Sequence, residues 1–567
     1  MKKIIYGESN FKKVKIDNNY IYIDKTPYIE KLENLNESFL IFLRPRRFGK
    51  SLFLSTLQYY YDENSAHEFD DIFQETYIKK SPTPLKNSFR ILFFEFSGIN
   101  VDEGIDKIYE RFTFKTRISI ATYFQNYNYA KEYTEKLENI NNPSSLMEYF
   151  FKVAKDDQIY LLVDEYDQFA NAILAYSMKD FLDIVGKGGF VRSFYEVLKT
   201  ATLSGVIQKM FITGVTPITL DSLSSGFNIV SNISNRKEFN ALAGFTQNEV
   251  NYSLGKTIFA RCSDVDKNEL LEKIKRWYNG YLFNSEAKYR IYNATLINYF
   301  ISNYNYERCL LPTKMLDSNV ASDYKAIMKL FNIGDSIRSY KILEKLIEEG
   351  SVVGSIKDRY DLNQEFSEDD FITLIYSMGF ITIKDEITAG LFNFEIPNYV
   401  IKILYFNYFA IEVQKRNNFK LKDSISSVLT KLLLGDIEPF NHQLNEIIKI
   451  LSNRDHHGFR EKHFQVITLS LLSFAEFYFI DSQPELDNSY PDILLIGRDE
   501  KTPNNYMFEL KWKKEKESYE AIKEKGLEQL KGYLKLDKIK AIPRLRSFLL
   551  IGSKDGVEFL EYQQNKT

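Results

Sequence analysis

The chain has 567 residues, too many for one hydrophobic core, so two to four domains are expected. Its 44% hydrophobic and 27% charged residues are those of ordinary globular protein and exclude long disorder. A net charge of −3 excludes a global nucleic-acid signature, and two cysteines without a CxxC support neither a disulfide framework nor a zinc cluster. The cysteine usage suggests a reducing compartment. The N-terminus is polar and interrupted, unlike a signal peptide, and no apolar run approaches the roughly 20 residues of a membrane span. A cytoplasmic protein without a membrane segment is expected.

In chain order, Tyr20 to Asp24 alternates like a strand, and Asp24 or Thr26 can cap a following helix that has Pro27 at its first position. Phe39 to Leu43 is an apolar run that reads as a buried strand. It breaks into the basic loop Arg44-Pro-Arg-Arg-Phe-Gly-Lys-Ser51, and Gly49, Lys50 and Ser51 open an apolar helix through Leu52, Leu54 and Leu57. Strand, Gly-Lys-Ser and helix N-terminus make a phosphate cradle: backbone amides and the helix dipole hold anionic oxygens, Lys50 reaches the β/γ-phosphates, and the Ser51 hydroxyl ligates Mg²⁺. Arg44 stands where the usual pattern has its first glycine. Arg46 and Arg47 have two readings: they supply transition-state charge in cis, or they pair with carboxylates and hold the loop. Arg236 is a weaker candidate for the first role.

Arg90 to Phe96 reads as another buried strand, followed by helical patterns over Ile108–Asn126 and Ser144–Lys155. The apolar run up to Val163 ends in adjacent carboxylates. This places Asp164 at a strand's C-terminal edge, where it can join a Mg²⁺ shell, with Glu165 polarising a water. Asp167 can cap the next helix. A third strand, Lys209 onward, ends in Thr213, either a γ-phosphate sensor or a plain Thr-Gly turn. Strands separated by helices predict a parallel sheet with helices on both faces and ligands at the strands' C-terminal ends.

Past residue 285 the pattern from Asp317 to Leu362 is mostly helical. A helix at Phe371–Gly379 then leads into a hairpin of Phe380–Lys384 and Leu391–Glu395, a winged-helix-like module favoured as a lid or regulatory element over a DNA binder. Farther on, His463–Phe479 reads as helix into strand, and Tyr490–Ile496 and Tyr506–Trp512 as two strands. Glu509 and Lys511 are two apart and share a face, while Asp492 opens the neighbouring strand. This Pro-Asp…Glu-x-Lys constellation supplies two carboxylates for Mg²⁺ and a lysine to position or deprotonate water for attack on a phosphodiester. Glu485 can add a carboxylate. Lys511 to Lys540 carries ten Lys against six acids, an excess that suits either a phosphate backbone or a solvated helix.

These motifs resemble those of AAA-ATPase-like proteins coupled to a C-terminal PD-(D/E)xK nuclease-like domain. The resemblance rests on Tyr22-Ile-Asp-Lys-Thr-Pro27, Arg44-Pro-Arg-Arg-Phe-Gly-Lys-Ser-Leu52, Val163-Asp-Glu-Tyr-Asp167, Thr213-Gly-Val-Thr-Pro-Ile218, Ser225-Gly-Phe-Asn228, Gly244-Phe-Thr246 and Trp277-Tyr-Asn-Gly-Tyr281. It accounts for Arg44, because the family itself carries Arg-Pro-Arg-Arg there, and Gln529 matches a helix glutamine of many nuclease members. It implies an α/β architecture in three parts: a P-loop NTPase parallel sheet with helices on both faces (1–285), a helical, winged-helix-like middle (286–435) and a small α/β restriction-endonuclease-like domain (436–567). ATP and Mg²⁺ are the expected cofactors and nucleic acid, DNA or RNA, the expected partner; P-loop ATPases of this type often oligomerise. Three functions stand open: an ATP-dependent switch that gates a Mg²⁺-dependent nuclease, a nucleotide-dependent scaffold whose nuclease-like domain binds nucleic acid or protein without cutting, or a protein that uses no nucleotide and in which Gly-Lys-Ser is structural.

Overall fold

A short parallel pair, β1 (Lys3–Ile4) and β2 (Tyr20–Ile21), precedes the main sheet in this computed structural model. The expected apolar runs then form β3 (Phe39–Leu43), β4 (Arg90–Glu95), β5 (Ile159–Asp164) and β6 (Ile207–Gly214), joined by the short β7 (Ser231–Asn232). They lie in the order β4-β5-β6-β3-β7, every pairing parallel. Parallel strands covered on both faces read as unbroken apolar runs, and β5 is buried along its whole length. Register places Phe93, Leu162 and Phe211 on one face and Phe94 on the other. The helix Lys50–Tyr61 packs on the first face through Phe53 against Phe211, and Phe190–Leu203 packs on the second through Phe194 against Phe94. The sheet is thus covered by helices on both sides, as expected.

The described residues are 3–562, except 18, 100, 102–103, 220–227, 318–319, 323–327, 334–335, 358–359, 361–365, 418–424, 453–460, 476, 483–490 and 499–500. Glu485 and most of Ser225–Asn228 lie outside them. The chain divides into two compact units, Met1–Ile401 and Lys402–Thr567. The first unit takes in a module of β8 (Ser351–Ser355), the helix Glu368–Ser377, β9 (Thr382–Thr388) and β10 (Leu391–Glu395), whose strands run antiparallel in the order β8-β10-β9. The expected hairpin is there, but β8 falls in a stretch read as helical: its alternating burial over five residues was hidden beside the longer helix Ser336–Glu349.

In the second unit β11 (Tyr478–Ser482), β12 (Ile493–Gly497), β13 (Asn505–Trp512), β14 (Leu545–Ser553) and β15 (Gly556–Tyr562) form a sheet in sequence order. Only β13 and β14 pair in parallel, and the helix Tyr519–Tyr533 makes the crossover that such a pair requires. Leu530 of that helix packs with Met507, Leu494 and Leu549 in the core beneath it.

Cys262 and Cys309 form a disulfide across 47 residues, which corrects the reading that two cysteines support no disulfide framework. A count of two with no close spacing carries no pairing information; the fold brings the sulfurs together. Reduction, or Cys309→Ser, is expected to lower unfolding free energy by about 2–4 kcal/mol, the scale for a loop of this length, as read by denaturant melts with and without reductant.

Candidate functional site

The loop after β3 is built by tying down its carbonyls. Lys50 Nζ donates to the carbonyls of Arg44 (2.9 Å) and Pro45 (3.1 Å). Asn293 Nδ2 donates to the Arg46 carbonyl at 3.3 Å. The Thr295 amide (3.3 Å) and hydroxyl (2.9 Å) both donate to that of Arg47. The Gly244 amide donates to Phe48 O (2.7 Å) and that of Phe53 to Gly49 O (3.2 Å). Six consecutive carbonyls are therefore engaged by the protein. Arg47 (φ 67°) and Gly49 (φ 99°) both take the left-handed conformation, the alternation that turns successive amides into an anion-binding concavity. The first amides of the helix at Lys50 lack intrahelical acceptors by geometry and face the same need for an anion.

Arg44 is 2% exposed and works as the loop's foundation. Its guanidinium donates to the carbonyls of Leu43 (2.9 Å), Ser234 (2.7 Å) and Phe239 (3.1 Å), and stacks between the rings of Phe42 and Phe283. Burial lowers its pKa to about 9, so it stays charged at neutral pH. A large side chain thus occupies the place of the usual glycine, pointing away from the phosphate side.

Across the sheet edge, β5 and the residues just after it present the carboxylates, and β6 presents Thr213. Asp164 is buried and accepts a short hydrogen bond from the Thr213 hydroxyl, which also accepts from the Glu165 amide at 3.4 Å. Thr213 therefore orients Asp164. Glu165 sits at φ 52°, and burial raises its pKa, opposed by Lys50 and reinforced by Asp164. Burial lowers the Lys50 pKa in turn, with Glu165 and Asp164 holding it up. Asp167 does not cap its helix by side chain; fully buried, it accepts from the amides of Val215 (3.1 Å) and Thr216 (2.7 Å) and fixes the turn after β6. Arg236 pairs with Glu37 at 2.5 Å, before the start of β3 and so at the end opposite the loop. Thr26 is the N-cap residue, but its hydroxyl accepts from the Ile78 amide instead (3.1 Å).

A cavity of about 620 Å³, within the size range of small-molecule sites, opens over the loop. Arg47, Gly49, Lys50, Ser51 and Glu165 line one side. The arm Ile4–Ser9, together with Ile21, Ile23, Ala243 and Phe245, makes a largely apolar opposite wall. Lys25 reaches it while bonded to Glu249 (2.7 Å) and the Ala241 carbonyl (2.9 Å). Arg46, Asp164 and Thr213 are not among the lining residues.

The second unit gathers a compact charged cluster. Asp492 ends the β12–β13 ladder by accepting the Leu510 amide at 2.8 Å on its carboxylate. Lys511 Nζ donates to Glu509 Oε1 (2.7 Å) and the Leu510 carbonyl (2.9 Å), with Glu461 3.6 Å away on the helix Glu461–Leu472. Burial, and then the Glu509 charge, push Asp492 up to about 7, while Lys511 pulls it back; burial also raises Glu509. Against its own burial, Lys511 is held above the ordinary lysine value by Glu509, Glu461 and Asp492. Glu509 Oε2 and Gln529 Oε1 are buried, with the Tyr533 phenol beside both side chains. Among the described residues no group of three or more His, Cys, Asp or Glu forms a metal cluster.

Residues 5–224 match the family described as "Predicted AAA-ATPase", and residues 459–553 match the PD-(D/E)XK nuclease superfamily. The chain joins an AAA-ATPase-like domain to a PD-(D/E)XK nuclease-superfamily domain. It is 27% identical over 313 residues to an "Uncharacterized protein in vnfD 5'region" of Azotobacter chroococcum, covering 52% of each, so the match spans about half the length of that relative. A solved Walker-type ATPase of Pyrococcus abyssi aligns with 67% of this chain and 94% of its own at 12% identity and a TM-score of 0.37.

In the AAA-ATPase-like domain the structure brings Arg47, Gly49, Lys50, Ser51 and Glu165 to one cavity, with Asp164 and Thr213 adjoining Glu165 along β5 and β6. In the nuclease-superfamily domain it brings Asp492, Glu509 and Lys511 together. Sequence reasoning missed the roles of Asn293, Thr295, Glu461 and Tyr533, and had Gly244 only as part of a family motif. Tyr533 shares the cluster from the crossover helix, its phenol pushed up by burial and by Glu509 and Asp492. The one local signal was Asn293, whose side chain caps the helix Ala294–Asn303. Arg44→Met keeps bulk but strips the donors from two distant buried carbonyls. It is expected to cost about 2–4 kcal/mol of stability in urea melts, the scale of unsatisfied buried acceptors plus lost charged hydrogen bonds.

Proposed function

We propose that the protein binds and hydrolyses Mg-ATP and that its nucleotide state gates a Mg²⁺-dependent nuclease acting on DNA or RNA. The observation that carries the reading is the loop with all six carbonyls turned into the protein, at the mouth of a cavity that also holds Lys50, Ser51 and Glu165. Lys50, Ser51 and the loop amides bind phosphate; Ser51 and Asp164 are the residues to hold its Mg²⁺. Glu165, with its proton affinity raised by burial, accepts a proton from water. Arg46 and Arg47 flank the loop with positive charge. In the second unit the buried Glu509 and Asp492 carboxylates fit a divalent cation, which when bound would neutralise charge on a phosphodiester and activate water. Lys511, held protonated by Glu509, orients the attacked phosphate or its water. The functional parts are those of the sequence division, 1–285, 286–435 and 436–567, with self-association and a cytoplasmic location as further elements of the proposal. No helix among the described residues is long and apolar enough to cross a membrane, which is compatible with that location.

The second reading, a switch that binds nucleic acid without cutting, is favoured by one observation: among the described residues Asp492 and Glu509 gain no third clustered metal ligand. The two separate in one series of assays. Lys50→Ala is expected to lose ATP binding. Glu165→Gln is expected to keep binding while hydrolysis falls about 10²–10⁴-fold, the range for loss of a general base. Cleavage of plasmid, single-stranded DNA or RNA with Mg²⁺ or Mn²⁺ that disappears in Glu509→Ala and changes with ATP supports gating. No cleavage by a folded, ATP-binding wild type selects the non-cutting switch.

A further inference from the structure

The helix Ala294–Asn303 touches both walls of the nucleotide cavity. From its N-terminus Asn293 and Thr295 hold the carbonyls of Arg46 and Arg47, while one turn on Asn298 Nδ2 donates to the carbonyl of Ile5 in the arm at 2.7 Å. Asn293 does two jobs at once: its Oδ1 accepts the amides of Thr295 (3.0 Å) and Leu296 (3.3 Å) as a helix cap, and its Nδ2 reaches the loop. Arg47 needs such a restraint. A non-glycine residue at φ 67° is held in a sparsely populated region only when its surroundings over-determine it, and here two donors converge on its carbonyl. With that carbonyl pinned outward, the next amides are left facing the cavity. Neither polar group is needed for apolar packing of the helix, which Leu296, Ile297, Phe300 and Ile301 provide.

We propose that this helix is a clasp that sets the phosphate loop and the N-terminal arm in their ligand-accepting geometry, with Asn293, Thr295 and Asn298 as positioning residues for phosphate binding. The proposal rests on the ATP-binding reading of the cavity, and its test separates the two. Asn293→Asp keeps the acceptor that caps the helix but cannot donate to Arg46. Thr295→Val keeps shape but loses the hydroxyl, and Thr295→Ser restores it.

Each variant is titrated with a fluorescent ATP analogue and Mg²⁺. Each is also digested with trypsin without nucleotide, and cuts at Arg46 and Arg47 are mapped by mass spectrometry. The expected result is at least a tenfold weaker Kd in Asn293→Asp and Thr295→Val, at least tenfold faster cutting at those two arginines, an unfolding midpoint close to wild type, and recovery to within twofold in Thr295→Ser. A purely structural role would move the midpoint and leave the cutting pattern and the rescue unchanged. Variants that bind within twofold of wild type and are cut at the wild-type rate overturn the clasp. Should the wild type bind no nucleotide, the ATP reading falls and the digestion alone decides: faster cutting in the variants upholds the clasp, and equal cutting overturns it.

Discussion

A buried backbone carbonyl must find a donor, and in this protein that requirement decides where the phosphate loop points. The donors come from four places: the loop's own Lys50, the turn at Gly244, the helix residue Phe53, and the Asn293–Thr295 cap. Once these are satisfied, the amide edge has one direction left, toward the cavity. Arg44 anchors the near end by the same logic, offering its fork to carbonyls some 190 residues away. The module of β8, β9, β10 and the helix Glu368–Ser377 adds a steric limit from outside. A Cβ on Gly379, just past the helix Glu368–Ser377, would lie 2.8 Å from Pro45 Cγ, so that helix end bears directly on the loop.

Much of the framework was legible from residues. Unbroken apolar runs ending in polar pairs gave the strands and their functional ends, because a parallel sheet buried on both faces leaves no other pattern. Gly49 to Ser51 and Asp164–Glu165 were legible because their chemistry is local to one strand end. The roles that escaped all depend on partners distant in sequence. Thr213 reads from sequence as either a phosphate sensor or a plain turn, and its hydroxyl bonds Asp164, a partner 49 residues away. Asp167 looks like a helix cap until it is seen holding the turn at Val215 and Thr216. Arg236 is a finger candidate until Glu37 claims it at the far end of β3. In each case a single residue type admits two partners, and only three-dimensional packing chooses.

The nuclease-superfamily site shows a different balance. Its three motif residues could be placed because a two-residue spacing on a strand fixes one face. The charge state of the cluster was not legible, since it follows from burial: Asp492 and Glu509 are both raised, and Lys511 is kept cationic by the same carboxylates, with Glu461 joining from a helix that carries no motif. Tyr533, from the crossover helix, adds its phenol beside Glu509 and Gln529, a partner that no motif announces.

The clasp also has a history in time. Asn293 lies 247 residues after the carbonyl it holds. At the ordinary rate of about 5–20 residues per second, a ribosome needs roughly 12–50 s to travel from one to the other. Over that interval the nascent chain carries the whole Gly-Lys-Ser motif and the strand behind Asp164, yet the carbonyls of Arg46 and Arg47 still lack the donors that fix them. The region recognised as ATPase-like, which closes at residue 224, is therefore shorter than the piece that must emerge before the loop is set. On the clasp proposal the loop takes its final geometry only when the helix at Ala294, about midway along the 567-residue chain, leaves the exit tunnel.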